Sequence, residues 1–506
     1  MPKHKQFLKE PKHKSKHAQQ LPSTPDECLA AGVDLEEAGE KWRGGDAAKS
    51  MRFFQRALGC YEEGLTTFPA SFDLAYNLAR LQYQITQHPK LLKELPADTW
   101  TLSQLLQTAL ASSRRALDLK MNEASAGEDA DALFNTGQIL TSLAEELNAK
   151  NPYNVESDQA SCGLLEEAVG LFQRCLVVQE GEYTEFQRQI MADLPDTSSP
   201  SNVNAQDGSP TTTGTIAERP EKIEQWVSVR EEVTKDDILD TFIAFVQALS
   251  TLCNRSSRLE RDADKFLHTV ESFAGGGLIN KLQLLARDTA KQIDAAIAAA
   301  GLMSAVSEAK YRLGLPGNDF KAYSENVQHA WSKLELKQHA QGLWNRSEAY
   351  ITASQALSDH DGSLASQITK VQWTLYSLAA ADLTSASSFR DDENIGKIFL
   401  VRGDVELLRA GLGRPHSIFE MTAKTAETLV RNAEKYYRGA KNLSQGEDTW
   451  EEFEEAVVKE TLAKAMLGDS KELKDVRTKI ARADEILQEA LVDGLFVESM
   501  LEVAGS

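Results

Sequence analysis

From Pro25 onward, apolar residues recur at i, i+3, i+4 and i+7 in almost every segment, while the alternation of a half-buried strand is rare. That spacing lays one apolar stripe along each helix, so the chain reads as about fifteen to twenty helices of ordinary length. Breaks fall at "QHPKLLKELP" (87–96), "NAKNPYNVESD" (148–158), "FAGGGL" (273–278), "LGLPGN" (313–318), "LGRP" (412–415) and "LSQGED" (443–448). Each contains the glycine, proline or asparagine that ends a helix. One interruption is longer: "DLPDTSSPSNVNAQDGSPTTTGTIAERPEK" (193–222) has almost no apolar content and cannot offset its ordering entropy. The expected organisation is a disordered basic tail (1–24), a helical array (25–189), a disordered Ser/Thr/Pro-rich insertion (190–222) and a second helical array (223–506).

Within this pattern, "FFQRALGCYEEGLTTFPASFDLAYNLARLQY" (53–83) spaces Ala57, Tyr61, Gly64 and Pro69 as small-x3-large-x2-small followed by a breaker. A stacked helical hairpin needs small residues where helices approach, a large one to fill the groove, and a stop. The same spacing returns at Ala109-Ser113-Ala116, Ala168-Phe172-Cys175, Ala433-Tyr437-Ala440 and Ala483-Leu487-Ala490. Asn77-Leu78-Ala79 and Asn135-Thr136-Gly137 sit where a following first helix begins its close contact. In these residues the chain resembles the tetratricopeptide repeat superfamily, in a divergent form whose copies do not keep the interval of ~34 residues. Ser50-Phe54-Ala57 overlaps Ala57-Tyr61-Gly64 in one elongated helix, and the middle of the chain, about 230–415, matches loosely. The resemblance implies an all-α superhelical array of antiparallel helix pairs, a TPR-like α-solenoid.

In that family ligands lie in a concave groove and touch the second, fifth, ninth and twelfth positions of the first helices. Carried onto this chain, those positions are Asp73, Tyr76, Arg80 and Tyr83, then Asp131, Phe134, Gln138 and Thr141, with Asn77 and Asn135 at the sixth. An asparagine there can bond an extended peptide backbone while aromatics pack its side chains. The plainer reading is that Asn77 and Asn135 bond neighbouring helix backbone. Tyr76 stands where the carboxylate-clamp subgroup carries a lysine, and "DILDTFIAF" supplies no basic residue, so acidic chaperone tails are disfavoured.

Charge sharpens the expected partner. The formal net charge is −21, with +5 concentrated in "MPKHKQFLKEPKHKSKHAQQ" (1–20), which leaves −26 on the remainder. An acidic body repels nucleic acid and attracts basic segments. The five cysteines contain no CxxC pair, and the nine histidines are dispersed, so neither a disulfide framework nor a metal site is expected. HExxH, GxSxG and a phosphate-cradling loop are absent, since Gly275-Gly276-Gly277 lacks the following Gly-Lys-Ser/Thr. No apolar run reaches membrane-span length, and the opening lacks a secretory h-region. Asn254, Asn345 and Asn442 each open an Asn-x-Ser match that reads as chance.

The expectation is therefore a non-enzymatic scaffold, adaptor or dedicated assembly chaperone, without cofactor, holding a basic or extended protein segment such as part of a ribosomal or nuclear protein. Its place is the cytoplasm, with a nuclear share if the basic opening serves import. Nucleic acid, membrane and small molecules are not expected partners. The alternative is a constitutive subunit of a trafficking or RNA-processing complex.

Overall fold

The computed structural model describes residues 23–95, 101–123, 127–150, 154–193, 232–257, 259, 267–268, 270–271, 277–357, 365–389, 394–412, 420–446 and 449–497. Eighteen helices are bounded among the described residues, and no strand is found among them. The chain divides into two compact units, Met1–Glu128 and Asp129–Ser506. The basic opening falls outside the described residues except for its last two. The insertion expected at 190–222 falls within the second unit; residues 190–193 finish a helix, and the rest lies outside the described residues.

The first unit comprises α1 (Pro25–Arg43), α2 (Ala47–Thr67), α3 (Phe72–Thr86), the one-turn α4 (Pro89–Leu92) and α5 (Leu102–Met121). Local chemistry starts each long helix. Thr24, Asp46, Ser71 and Thr101 accept backbone N–H bonds at their N-caps, and Thr101 with Gln104 forms a capping box. The break at 87–96 contains α4 because Pro89 suits a first helical position. α1 packs on α2, and α3 on α5.

The second unit comprises α6 (Ala130–Lys150), α7 (Val155–Asp193), α8 (Lys235–Ser256), α9 (Leu278–Ala286), α10 (Gln292–Arg312), α11 (Phe320–Ser332) and α12 (Ala340–Ala356). It continues with α13 (Ala365–Ala386), α14 (Ile395–Gly411), α15 (Glu420–Leu443), α16 (Trp450–Met466), α17 (Lys471–Lys479) and α18 (Ala483–Val492). Neighbours in the chain are neighbours in space: α6 with α7, α7 with α8, α12 with α13, and on through α14, α15 and α16. Such nearest-neighbour stacking is the organisation of a helical-repeat protein. The acids of "EDTWEEFEEAV" place Glu451 and Glu452 in the first turn of α16, at the positive end of its dipole.

Pair registers are antiparallel, and glycines mark them. A Cβ at Gly39 of α1 would lie 2.6 Å from the Phe54 ring of α2, and one at Gly32 would lie 2.2 Å from Tyr61. The order runs up one helix and down the other. A Cβ at Gly137 of α6 would come within 2.6 Å of Phe172 on α7. Along α14, Gly396, Phe399 and Gly403 face in turn Ser444, just past the end of α15, and Gly439 and Tyr437 within it. Thus Tyr61, Phe172 and Tyr437, the large residues of the small-large-small spacing, each fill a notch left by glycine. Ala57, Gly64, Ala116 and Gly137 are all buried.

Two of these plugs also join a third helix. Tyr61 donates its hydroxyl to Glu36 at 2.5 Å, and Arg80 of α3 reaches the other Glu36 oxygen at 2.5 Å. In the second unit Tyr437 donates to Asp404 at 2.8 Å, and Lys459 of α16 reaches both Asp404 oxygens at 3.0 Å. Burial disfavours the Lys459 ammonium, but Asp404 and Glu455 outweigh it and raise its pKa. Breaking either clasp would strand a buried charge, which costs about 3–5 kcal/mol.

Gly32→Ala is expected to destabilise the protein by about 1–3 kcal/mol, because the added methyl overpacks Tyr61. Gly59→Ala, in α2 with nothing within 4 Å of its Cβ position, is expected to stabilise by about 0.5–1 kcal/mol. Denaturant unfolding of the two variants checks the opposite signs; equal shifts would contradict the notch.

Candidate functional site

The residues expected to line a groove divide between the units. On α3, Asp73 is exposed, and Tyr76 stacks on Phe72 at 5.8 Å between ring centroids. Asn77 donates from Nδ2 to the Asp73 backbone oxygen at 2.9 Å, and its Oδ1 accepts from Arg80 Nε at 3.3 Å. Arg80 continues to Glu36, so Asn77 and Arg80 belong to a network internal to the first unit. Tyr83 is half-buried. On α6, Asp131 is exposed and Asn135 half-buried, while Phe134 tilts against Phe172 at 5.9 Å. Gln138, with Thr141 one turn on, lines a cavity.

That cavity is an open groove of about 540 Å³ in the second unit. It lies within the range of about 300–1,000 Å³ found for ligand pockets. α6 contributes Gln138, Thr141, Ser142 and Glu145; α8 contributes Gln247, Ser250, Thr251 and Asn254; α10 contributes Ser304 and Glu308; α12 contributes Asn345, Glu348 and Thr352. Phe172, Ile297, Tyr323, Val327 and Trp331 are buried behind these residues and back the groove as core. Trp331 is fixed there, its indole N–H donating to Ser304 at 3.0 Å. Phe172 fills the Gly137 notch and backs the groove from the core.

Amides, hydroxyls and carboxylates line this surface, and none of the lining residues is Lys, Arg or His. Glu308 is buried and held by Arg312 at 2.8 Å. Glu145 and Glu348 are exposed, and partial desolvation by the surrounding helices raises both carboxyl pKa values. In a concavity the surrounding helices displace water from a carboxylate even where its surface stays open. Arg255 opposes the shift at Glu145, and a hydrogen bond with Trp344 opposes it at Glu348.

Glu145, Gln247, Asn254, Asn345 and Glu348 escape a reading based on first-helix positions. One signal for them was present: the tripeptide Asn-Arg-Ser occurs at 254–256 and again at 345–347. Both asparagines line the groove, and both serines are buried. Both arginines reach a carboxylate of the adjoining helix: Arg255 to Asp158 at 3.6 Å, and Arg346 to Asp382 at 2.8 and 2.6 Å. The matches that read as chance glycosylation patterns are equivalent positions on two helices of one wall.

Burial pushes the Cys162, Cys175 and Cys253 thiols up to about 12, which makes them poor nucleophiles at neutral pH. Among the described residues no His/Cys/Asp/Glu group could hold a metal ion, and no helix is long and apolar enough to cross a membrane.

Because Glu145 and Glu348 have raised folded-state pKa values, the native chain binds their protons more tightly than the unfolded chain. Their contribution to stability therefore falls as pH rises from the ordinary carboxylate value through the raised one. Replacing both by glutamine is expected to flatten this part of the dependence in urea unfolding between about pH 4 and 7. An unchanged slope would show that the two groups carry none of it.

No protein-family model matches the chain. It is 25% identical over 201 residues to the UPF0656 protein C926.02 of Schizosaccharomyces pombe, covering 32% of this chain and 45% of that protein. It is 35% identical over 85 residues to the uncharacterized protein YNL193W of Saccharomyces cerevisiae, covering 16% of this chain and 15% of that one. The chain thus spans less than half of either relative. Among solved structures, the nuclear import adaptor Nro1 of S. pombe aligns with 85% of this chain and 99% of its own, at 10% identity and a TM-score of 0.30. A circular tandem repeat protein aligns with 95% of this chain and 99% of its own, at 14% identity and a TM-score of 0.24. Superpositions this loose carry no argument about fold or function.

Proposed function

We propose that this chain is a divergent tetratricopeptide-type array acting as a non-enzymatic protein-binding scaffold, an adaptor or dedicated assembly chaperone. Its second unit would hold an extended, basic segment of a partner, such as part of a ribosomal or nuclear protein, in the groove that Gln138 helps to line. The observation that carries this reading is the composition of that groove: amide and hydroxyl groups suited to peptide backbone, with carboxylates and no basic lining residue. The acidic body supports it, because a field of one sign raises the encounter rate with basic segments. A nucleic-acid ligand would meet that same field as repulsion.

Affinity purification with mass spectrometry, run at low and high salt, tests the reading. The expected yield is a small set of basic proteins, released by at least about tenfold as salt rises from about 0.05 to 0.5 M, where screening shortens the reach of exposed charge. Acidic or neutral partners that stay bound in high salt would overturn the electrostatic reading. A chain found only in a constitutive megadalton-sized peak on size exclusion would favour a structural subunit instead.

A further inference from the structure

Along α1 the charges follow the helix dipole, with Asp26 and Glu27 in the first turn and Lys41 and Arg43 in the last. α2 is arranged the other way. No Asp or Glu occurs from Ala47 to Tyr61, Lys49, Arg52 and Arg56 occupy the first half, and Glu62 and Glu63 stand near the end. Cations at the positive end of the dipole and anions at the negative end cost the helix stability. Steps of three and four residues return to one side of a helix, so the three cations share a face. It is the outer face: Arg52 and Arg56 are exposed and Lys49 half-buried, while Ser50, Met51, Phe54, Ala57 and Tyr61 turn into the core.

Among the described residues none of the three cations makes a salt bridge. The Lys49 ammonium lies 3.1 Å from the centroid of the Trp42 ring, Arg56 lies 5.8 Å from that of Phe53, and Arg52 Nε donates to the Ala48 backbone oxygen at 3.3 Å. Asp46, the nearest carboxylate in sequence, caps the helix and accepts the Lys49 backbone N–H at 2.9 Å. The rings hold two cation heads in place without cancelling their charge. They also set apolar surface beside them, Trp42 being 41% exposed and Phe53 half-buried. From Lys49 to Arg56 the stripe runs about 10 Å at the helical rise. That is short of the clusters of about 4–8 basic residues that hold an anionic membrane. A long nucleic acid would also meet a chain of net charge −21. The chain's own opening, which is basic, is repelled by the same face. We propose that the outer face of α2 docks a short acidic segment of a partner protein, with three carboxylates along that length and an apolar side chain against Trp42 or Phe53. The scaffold then carries two surfaces of opposite sign, and this one does not depend on the groove of the second unit.

The test is selection from a random dodecapeptide library against the full chain, followed by affinity measurement on the native chain and on the Arg52→Gln/Arg56→Gln variant. Peptides with at least three Asp or Glu and one large apolar residue are expected, and the variant should bind them about tenfold more weakly. Lys49→Met should weaken them severalfold. Lys471→Gln/Lys474→Gln, the same charge change at exposed positions of α17, should leave them unchanged. The α2 variant should melt no lower than the native chain, because the cations it loses oppose the dipole. A lower melting temperature with unchanged binding would make the cations structural and end the proposal. Selected peptides without acidic residues, or no binder at all, would overturn the docking face. A library that returns only basic peptides, indifferent to the α2 variant, would overturn it while supporting the scaffold reading. Binding of a uridine dodecamer or of phosphatidylserine vesicles, lost in the α2 variant and with no acidic peptide selected, would give the face to nucleic acid or to membrane and likewise end the proposal.

Discussion

An aromatic ring seated where the facing helix lacks a Cβ is the contact on which the helix pairs depend. Glycine inside a helix costs roughly 1 kcal/mol relative to alanine. Burying a large apolar side chain returns about 1.5–3 kcal/mol, so the exchange favours the pair wherever the ring fits. It also sets register. Tyr61 over Gly32 and Phe54 over Gly39 allow only one antiparallel alignment of α1 with α2. On α14 and α15 the roles alternate, with Tyr437 over Gly403 and Phe399 over Gly439, so each helix supplies both a ring and a notch.

From that contact the rest is built outward. In the first unit the Tyr61 hydroxyl reaches Glu36, which brings in Arg80 and through it Asn77. In the second, Tyr437, Asp404 and Lys459 repeat the logic with different residues. Phe172 has no hydroxyl, and its ring stays buried behind the groove wall to which Gln138 contributes.

Much of the architecture was legible in the spacing. Helical period and the small-large-small pattern identify Ala57, Tyr61 and Gly64, Ala168 and Phe172, and Ala433 and Tyr437, because burial of one face is a local property of a helix. Which glycine each ring meets is not local. Gly137 was visible through Asn135-Thr136-Gly137, but Gly32 and Gly403 were not, since nothing beside them marks the facing helix. The binding surface was less legible still. Position counting singled out Asn77 and Arg80, yet both turn into the network around Glu36. The groove draws on α6, α8, α10 and α12, and no window of sequence contains Glu145 together with Glu348. Only the repeated Asn-Arg-Ser hinted at it.

The most direct measurement is a double-mutant cycle between Gly137 and Phe172, read by equilibrium unfolding. If the ring occupies the space of the missing Cβ, Gly137→Ala should cost at least about 1 kcal/mol less in a Phe172→Leu background than in the native one. Losses that simply add, to within about 0.5 kcal/mol, would mean that the two side chains do not compete for space and that pairing rests on something else.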